Sequence, residues 1–332
     1  MACKPNREHR ADAATAAQNQ RQLRHEHARS RSADSLPNNA LRHDGHTPVP
    51  LLDHLNRRSV PYADPLTTLH WPSLSLGDYW LPPHAISLHG IEEFEAMPEA
   101  TRKRLSQFEF AGFIQAGLWL EALFMERLSQ GLRNTVSAPE HAYRLHEIRE
   151  EAGHSLMFLQ FLQECGLALP RNETRRSRAA DLIGRHAPIN GPLFWLAVVI
   201  GEELPNRLNR QLRRNGTAHV NPVIIQMCTL HSTDEARHIA HARDALARRL
   251  ENAGHCQRRV LAMLATTLLR QSVRIFYVPP AWAYERAGLA SGIDWQRRAR
   301  NNPARQAFVA QCVKPTLSFL SEHGLRIHLP GW

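Results

Sequence analysis

From about residue 91 to the C-terminus, apolar side chains recur every three to four positions, with charged and amide residues between them. That is the period of an α-helix with one face turned inward. The segment EEFEAMPEATRKRLSQ (92–107) follows it, and Phe108–Gln130 and Pro139–Leu167 read as longer, more apolar helices. Pro192–Arg214, Val220–Asn252, Arg258–Tyr277 and a last helix over Pro303–His323 complete the set. The strict alternation of a half-buried strand is hard to find. Long helices joined by short polar links predict an all-α bundle over residues 91–325.

The pattern is different upstream. Residues 51–90 place Pro61, Pro65, Pro72, Pro82 and Pro83 among scattered apolar residues and are expected to run extended around the helical core. Residues 1–50 carry eight Lys/Arg, five Asp/Glu and five His, and no aromatic residue. Such a composition buries too little apolar surface to offset the entropy of ordering, so a disordered, basic, His-rich arm is expected there.

Bulk charge changes this picture little. A net charge of +10 invites a nucleic-acid reading. The excess is Arg spread over predicted helix surfaces, with no Lys/Arg block of five, and this argues against nucleic-acid binding. Cys3, Cys165, Cys228, Cys256 and Cys312 form no CxxC pair and are odd in number, which fits reduced thiols in a cytoplasm. The start, MACKPNREHR, lacks the apolar core of a secretory signal. The apolar run around Pro192–Gly201 is too short to span a bilayer, so no membrane association is expected.

The chemistry lies in an internal echo. Glu150-Glu151-Ala152-Gly153-His154 and Asp234-Glu235-Ala236-Arg237-His238 both read acidic-Glu-Ala-x-His and stand 84 residues apart. Each follows a Glu in an apolar helix: Glu121 in AGLWLEALFME, and Glu202 or Glu203 in LAVVIGEELPN. The intervals, 30 residues from Glu121 to Glu151 and 32 from Glu203 to Glu235, each fit a helix, a turn and an antiparallel return. A Glu from each of two helices plus a Glu-x-x-His from each of two others is the ligand set of ferritin-like dinuclear carboxylate sites. A single ExxH on a helix is ordinarily a solvated surface pair, but the matched duplication is not explained that way.

Charge balance supports the same reading. Four carboxylates converging in a bundle core would cost several kcal/mol per ion without counter-charge. Two divalent cations supply that charge, and a mix of oxygen and imidazole ligands suits iron or manganese. The acids preceding the two ligand glutamates, Asp234 and Glu150, point about 100° away and are placed to accept the outer N–H of a histidine from the opposite half. Arg237 is a partner for such a carboxylate. His231 lies one turn before Glu235 on the same face, and the corresponding position in the first half is Glu147, also on the ligand face.

Glu121, Glu151-x-x-His154, the Glu202-Glu203 pair and His231-x3-Glu235-x2-His238 resemble the p-aminobenzoate N-oxygenase (AurF-like) di-iron family over about residues 90–325. The resemblance implies a ferritin-like bundle with additional helices and a ligand set of four Glu and three His. On this chain those are Glu121, Glu151, His154, His231, Glu235, His238 and one of the pair at 202–203, with spacing favouring Glu203 and leaving Glu202 as the alternate. It also implies two iron ions, with manganese as the alternative, and O2-dependent oxidation of an amine toward hydroxylamine, nitroso and nitro products. The amine would be an aryl amine or an amino-acid derivative of secondary metabolism, free or bound to a carrier protein. A homodimer is compatible with this reading. No Gly-rich nucleotide motif is visible, so electrons are expected from an external donor. Three rivals share the fold. Another di-iron hydroxylase or desaturase would differ in product. A radical-generating subunit would need a tyrosine beside the metals, and Tyr143 lies two turns from Glu151 and off its face. Iron-storage proteins have shorter chains and lack the third histidine.

Overall fold

The structure, a computed structural model, describes residues 51–133, 137–170, 177–215 and 219–329. The arm expected at 1–50 lies outside the described residues. The chain enters through α1 (Leu51–Ser59), and its main helices are α2 (Glu99–Leu132), α3 (Ala138–Glu164), α4 (Arg178–His186), α5 (Pro192–Asn215) and α6 (Pro222–Glu251). They are followed by α7 (His255–Phe276), α8 (Ala281–Arg286), α9 (Gly292–Asn301) and α10 (Pro303–Glu322). Single turns at Pro65–Thr68 and Glu92–Glu95 complete the α-helical elements. Among the described residues, β pairing is limited to one bridge, Tyr79–Val220.

Local chemistry sets the helix starts. Ser137 accepts from the backbone N–H of Glu140 to begin α3, Asn221 from Val223 to begin α6, and Asn302 from Ala304 to begin α10. In each case a proline follows within the first turn, where its missing N–H is not needed. The predicted helices 92–107 and 108–130 largely merge into one 34-residue helix, α2, which begins at Glu99 just after Pro98.

Four helices form the core. α2 pairs with α3, and α5 with α6, as antiparallel hairpins; the pairs then face each other, α3 against α6 and α2 against α5. Antiparallel running is visible in the contacts: Gly117 of α2 meets Phe158 of α3, whereas Gly131 meets Arg144. α7 and α10 cover α5, α4 lies against both α2 and α5, and α8 packs on α2. By length and apolarity α2 is able to cross a membrane, but 72% of its apolar window is buried inside the protein, as a bundle helix requires.

Residues 51–90 depart from the extended course expected of them. α1 and the turn at Pro65–Thr68 pack on α3, with Leu55 and Ser59 buried. The segment 85–89 is tied down by a buried polar network. The N–H of Ser87 donates to both oxygens of Glu109 at 3.2 and 3.1 Å, and its hydroxyl donates to Glu109 Oε1 at 2.5 Å. Asn302 donates to the carbonyls of Ser87 and His89, and Arg305 to that of Ala85. Buried at the far end of α2 from the echo motifs, this network clamps the segment between α2 and α10.

Candidate metal centre

Glu121 on α2, Glu151 and His154 on α3, Glu202 on α5, and His231, Glu235 and His238 on α6 meet in the middle of the four-helix core. None is more than 6% exposed. Two sets of ligand atoms lie within 4.8 Å of one another: Glu121, His154, His231 and Glu235 form one, and Glu151, Glu202, Glu235 and His238 the other. Glu235 belongs to both. Its two oxygens, together with Glu121 Oε2 and His238 Nδ1, are buried without a hydrogen bond of proper geometry. Native interiors rarely leave such atoms without partners, and an inward-facing carboxylate and imidazole set of this kind fits a pair of hard divalent cations.

Of the two candidates on α5, the structure brings in Glu202 and turns Glu203 away. Glu203 is buried against two guanidinium groups, Arg207 one turn on and Arg243 of α6, the latter at 2.6 and 2.8 Å. Interval counting along the chain favours Glu203, but facing is decided by helical phase. Glu202 shares its helical face with Asn206 and Asn209, the latter in contact with His231 of α6, while Glu203 is rotated by about 100° onto a flank where arginines neutralise it.

The cross-half pairing expected of the outer acids is present. Asp234 Oδ2 lies 3.2 Å from His154 Nε2, and Glu150 Oε2 lies 2.9 Å from His238 Nε2. Each histidine turns Nδ1 inward, to 3.3 Å from Glu151 for His154 and 3.0 Å from Glu151 for His238. Arg237 bridges the two outer acids, donating to Asp234 at 2.5 Å and approaching Glu150 at 2.8 Å. Glu147 is not in the cluster. Because α3 and α6 run antiparallel, equivalent positions of the two halves fall at opposite ends of the site. His231 therefore packs against His154 and Phe158, while Glu147 lies 3.6 Å from His241 Nδ1. Tyr143 and Trp195 each pack edge-to-face with that His241, so Tyr143 sits at the Glu147 end and outside both ligand sets.

Electrostatics follow from burial and neighbours. Burial, then the charge of Glu151, raises Glu121 well above the usual carboxylate range; burial, then the charge of Glu235, does the same to Glu202. Burial also acts to raise Glu151, but the positive charge of His238 and hydrogen bonds overcome it and leave Glu151 well below that range. Burial opposes protonation of His154, yet its bonds to Asp234 and Glu151 lift it to about 9. His231 goes the other way: burial and the charge of His154 push it down to about 4, which leaves a neutral ring with a lone pair to give.

Asn209 and Asn206 are missed by the sequence reading. Asn209 lies against His231, with its amide nitrogen 2.8 Å from Nδ1. The signal was available: from Glu202, positions 206 and 209 are i+4 and i+7, and both are amides in an otherwise apolar stripe. Between α2 and α5, one turn from Glu121 and Glu202, lies an apolar cavity of about 30 Å³ lined by Leu120, Phe124, Val198, Gly201, Leu268 and Phe276.

A family model described as P-aminobenzoate N-oxygenase AurF matches residues 46–324. The chain belongs to this family. Among curated proteins it is 26% identical over 235 residues to the uncharacterized protein MT0908 of Mycobacterium tuberculosis (strain CDC 1551 / Oshkosh), covering 67% of each chain. The uncharacterized protein Mb0909 of Mycobacterium bovis (strain ATCC BAA-935 / AF2122/97) matches to the same extent. Among solved structures, two R2-like ligand-binding oxidase mutants with reconstituted Mn/Fe cofactors share the fold. Their TM-scores are 0.51 and 0.53 and their identities 13% and 14%, covering 86% and 87% of this chain and 99% of theirs. The AurF family member described here is thus an all-α, ferritin-like bundle with added helices.

Proposed function

We propose that this chain is an O2-dependent di-iron oxygenase that oxidises an amine nitrogen toward hydroxylamine, nitroso or nitro products. The observation that carries the proposal is the convergence of four glutamates with a third histidine, His231, whose Nε2 lies 3.2 Å from Glu121 and 3.4 Å from Glu235. One metal would be held by Glu121, His154, His231 and Glu235, and the other by Glu151, Glu202, Glu235 and His238. Once bound, the metal pair supplies the capacity to bind and reduce O2.

The protein's own residues set up the rest. Asp234 and Glu150 fix the rings of His154 and His238 with Nδ1 inward, and Arg237 keeps both acids in place. The ExxH helices and their outer acids fill the α3–α6 side, so substrate approach is left to the α2–α5 side, where each helix gives a single Glu. The apolar cavity there supports an amine with an apolar body. Its volume is near that of one water molecule, so a ring must displace side chains such as Phe124 and Phe276.

Anaerobic loading with Fe(II), metal analysis, and O2 exposure with a panel of aryl and amino-acid-derived amines test this. The expected result is about two irons per chain and oxygen inserted at nitrogen, seen by mass spectrometry. Two irons with oxygen inserted only at carbon would replace the N-oxygenase by a hydroxylase. A single zinc per chain would remove the dinuclear site.

A further inference from the structure

The third histidine is held differently from the other two. His154 and His238 turn Nδ1 toward the site and give Nε2 to a carboxylate. His231 is reversed: Nε2 faces Glu121 and Glu235, and Nδ1 faces the side-chain amide nitrogen of Asn209 at 2.8 Å. We propose that Asn209 is a positioning residue of the metal centre, a neutral amide that holds His231 with Nε2 offered to one of the two metals. This rests on the dinuclear reading of the site.

Register and burial place Asn209 in this role. Glu202, Asn206 and Asn209 stand at i, i+4 and i+7 on α5, antiparallel to His238, Glu235 and His231 on α6. Asn209 is 3% exposed, so water does not compete for the imidazole. A ring that gives the lone pair of Nε2 to a metal carries its proton on Nδ1 and needs an acceptor there. The structure turns the amide nitrogen of Asn209 to Nδ1, and with a metal on Nε2 a half-turn about the last side-chain bond would present the amide oxygen as that acceptor. An aspartate in its place would also accept, but would add a buried negative charge and make the imidazole a stronger donor, as Asp234 and Glu150 do for the other two rings. The centre therefore has two carboxylate-backed histidines and one amide-backed histidine. His231 belongs to only one of the two ligand sets, so Asn209 bears on one metal position.

Proton NMR of the full-length protein loaded with Co(II) reads this directly, because each coordinated imidazole keeps one N–H that is strongly shifted and exchanges with solvent. In the wild type three such signals are expected. Asn209→Leu should leave two, with the third lost to exchange, and cobalt retained against a chelator should fall from about two toward about one per chain. Asn209→Asp should restore the third signal at a changed position. Three unaltered signals in Asn209→Leu, or the loss of all three together, would overturn the assignment. If the leucine variant fails to fold, Asn209→Asp decides: movement of one signal supports the role, and three unmoved signals overturn it. Wild-type protein that takes up no cobalt pair would instead defeat the dinuclear reading, a failure distinct from either result in the variants.

Discussion

Glu202 and Glu203 are neighbours, both buried, and separate by what surrounds them. Glu202→Ala should cut bound metal sharply while leaving the fold close to wild type. Glu203→Ala should leave metal stoichiometry intact but cost about 2 kcal/mol of stability, because Arg207 and Arg243 lose their shared carboxylate while keeping some solvent. Metal analysis beside chemical denaturation checks both; equal metal loss in the two variants would contradict the geometry. Proton linkage gives a second residue-scale test. Glu121 and Glu202 hold protons above the usual carboxylate range, and a metal needs both as carboxylates. Metal uptake should therefore release protons, and affinity should weaken as pH falls, as titrations from about pH 8 to about pH 6 in buffers of different ionisation enthalpy would show. At this scale the echo, the outer acids and His231 were readable because they repeat or share one helical face. The choice at 202–203 was not, because chain intervals carry no rotational phase, and Asn209 falls on the ligand face only when the helix is phased from Glu202.

Among the elements, the long helices were legible and the short ones were not. α8 and α9 offer too few periodic apolar positions to be called from sequence, and are held by the packing of Trp282, Tyr284 and Trp295. α1 is hidden in the sequence because the prolines following it dominate the local pattern. The clamp on residues 85–89 offers a test of its own. Burial raises Glu109 from 4.5 to about 7, against the opposing charge of Arg305 and the bonds from Ser87. A carboxyl with a raised folded value binds its proton more tightly than the unfolded chain does. Its contribution is thus complete below about pH 4.5 and is lost as pH rises through about 7, a change of about 3 kcal/mol. Glu109→Gln should flatten that part of the stability curve, measured by denaturation across the range. A wild-type slope retained in the variant would assign the pH dependence elsewhere.

For the whole molecule, the described residues between 51 and 329 supply the core helices and both candidate ligand sets. A chain beginning at Leu51 should keep its metal content, and its thermal midpoint should stay within about 4 °C of full length; loss of helical circular dichroism would assign the arm a structural part. The bundle itself was legible because its helices are long enough for a 3.6-residue period to be unmistakable, whereas the layering of α4, α7 and α10 around it is fixed by tertiary contacts that leave no local trace. The antiparallel crossing of α3 and α6 also has a bearing on biosynthesis. Each ExxH histidine is oriented by an acid from the opposite hairpin, and Arg237 ties the two acids together. No stretch of the chain leaving the ribosome before α6 carries a complete candidate ligand set, since Glu235 belongs to both sets and arrives last but for His238. On the proposed ligand assignment, neither metal position is complete in the growing polypeptide until α6 has been made.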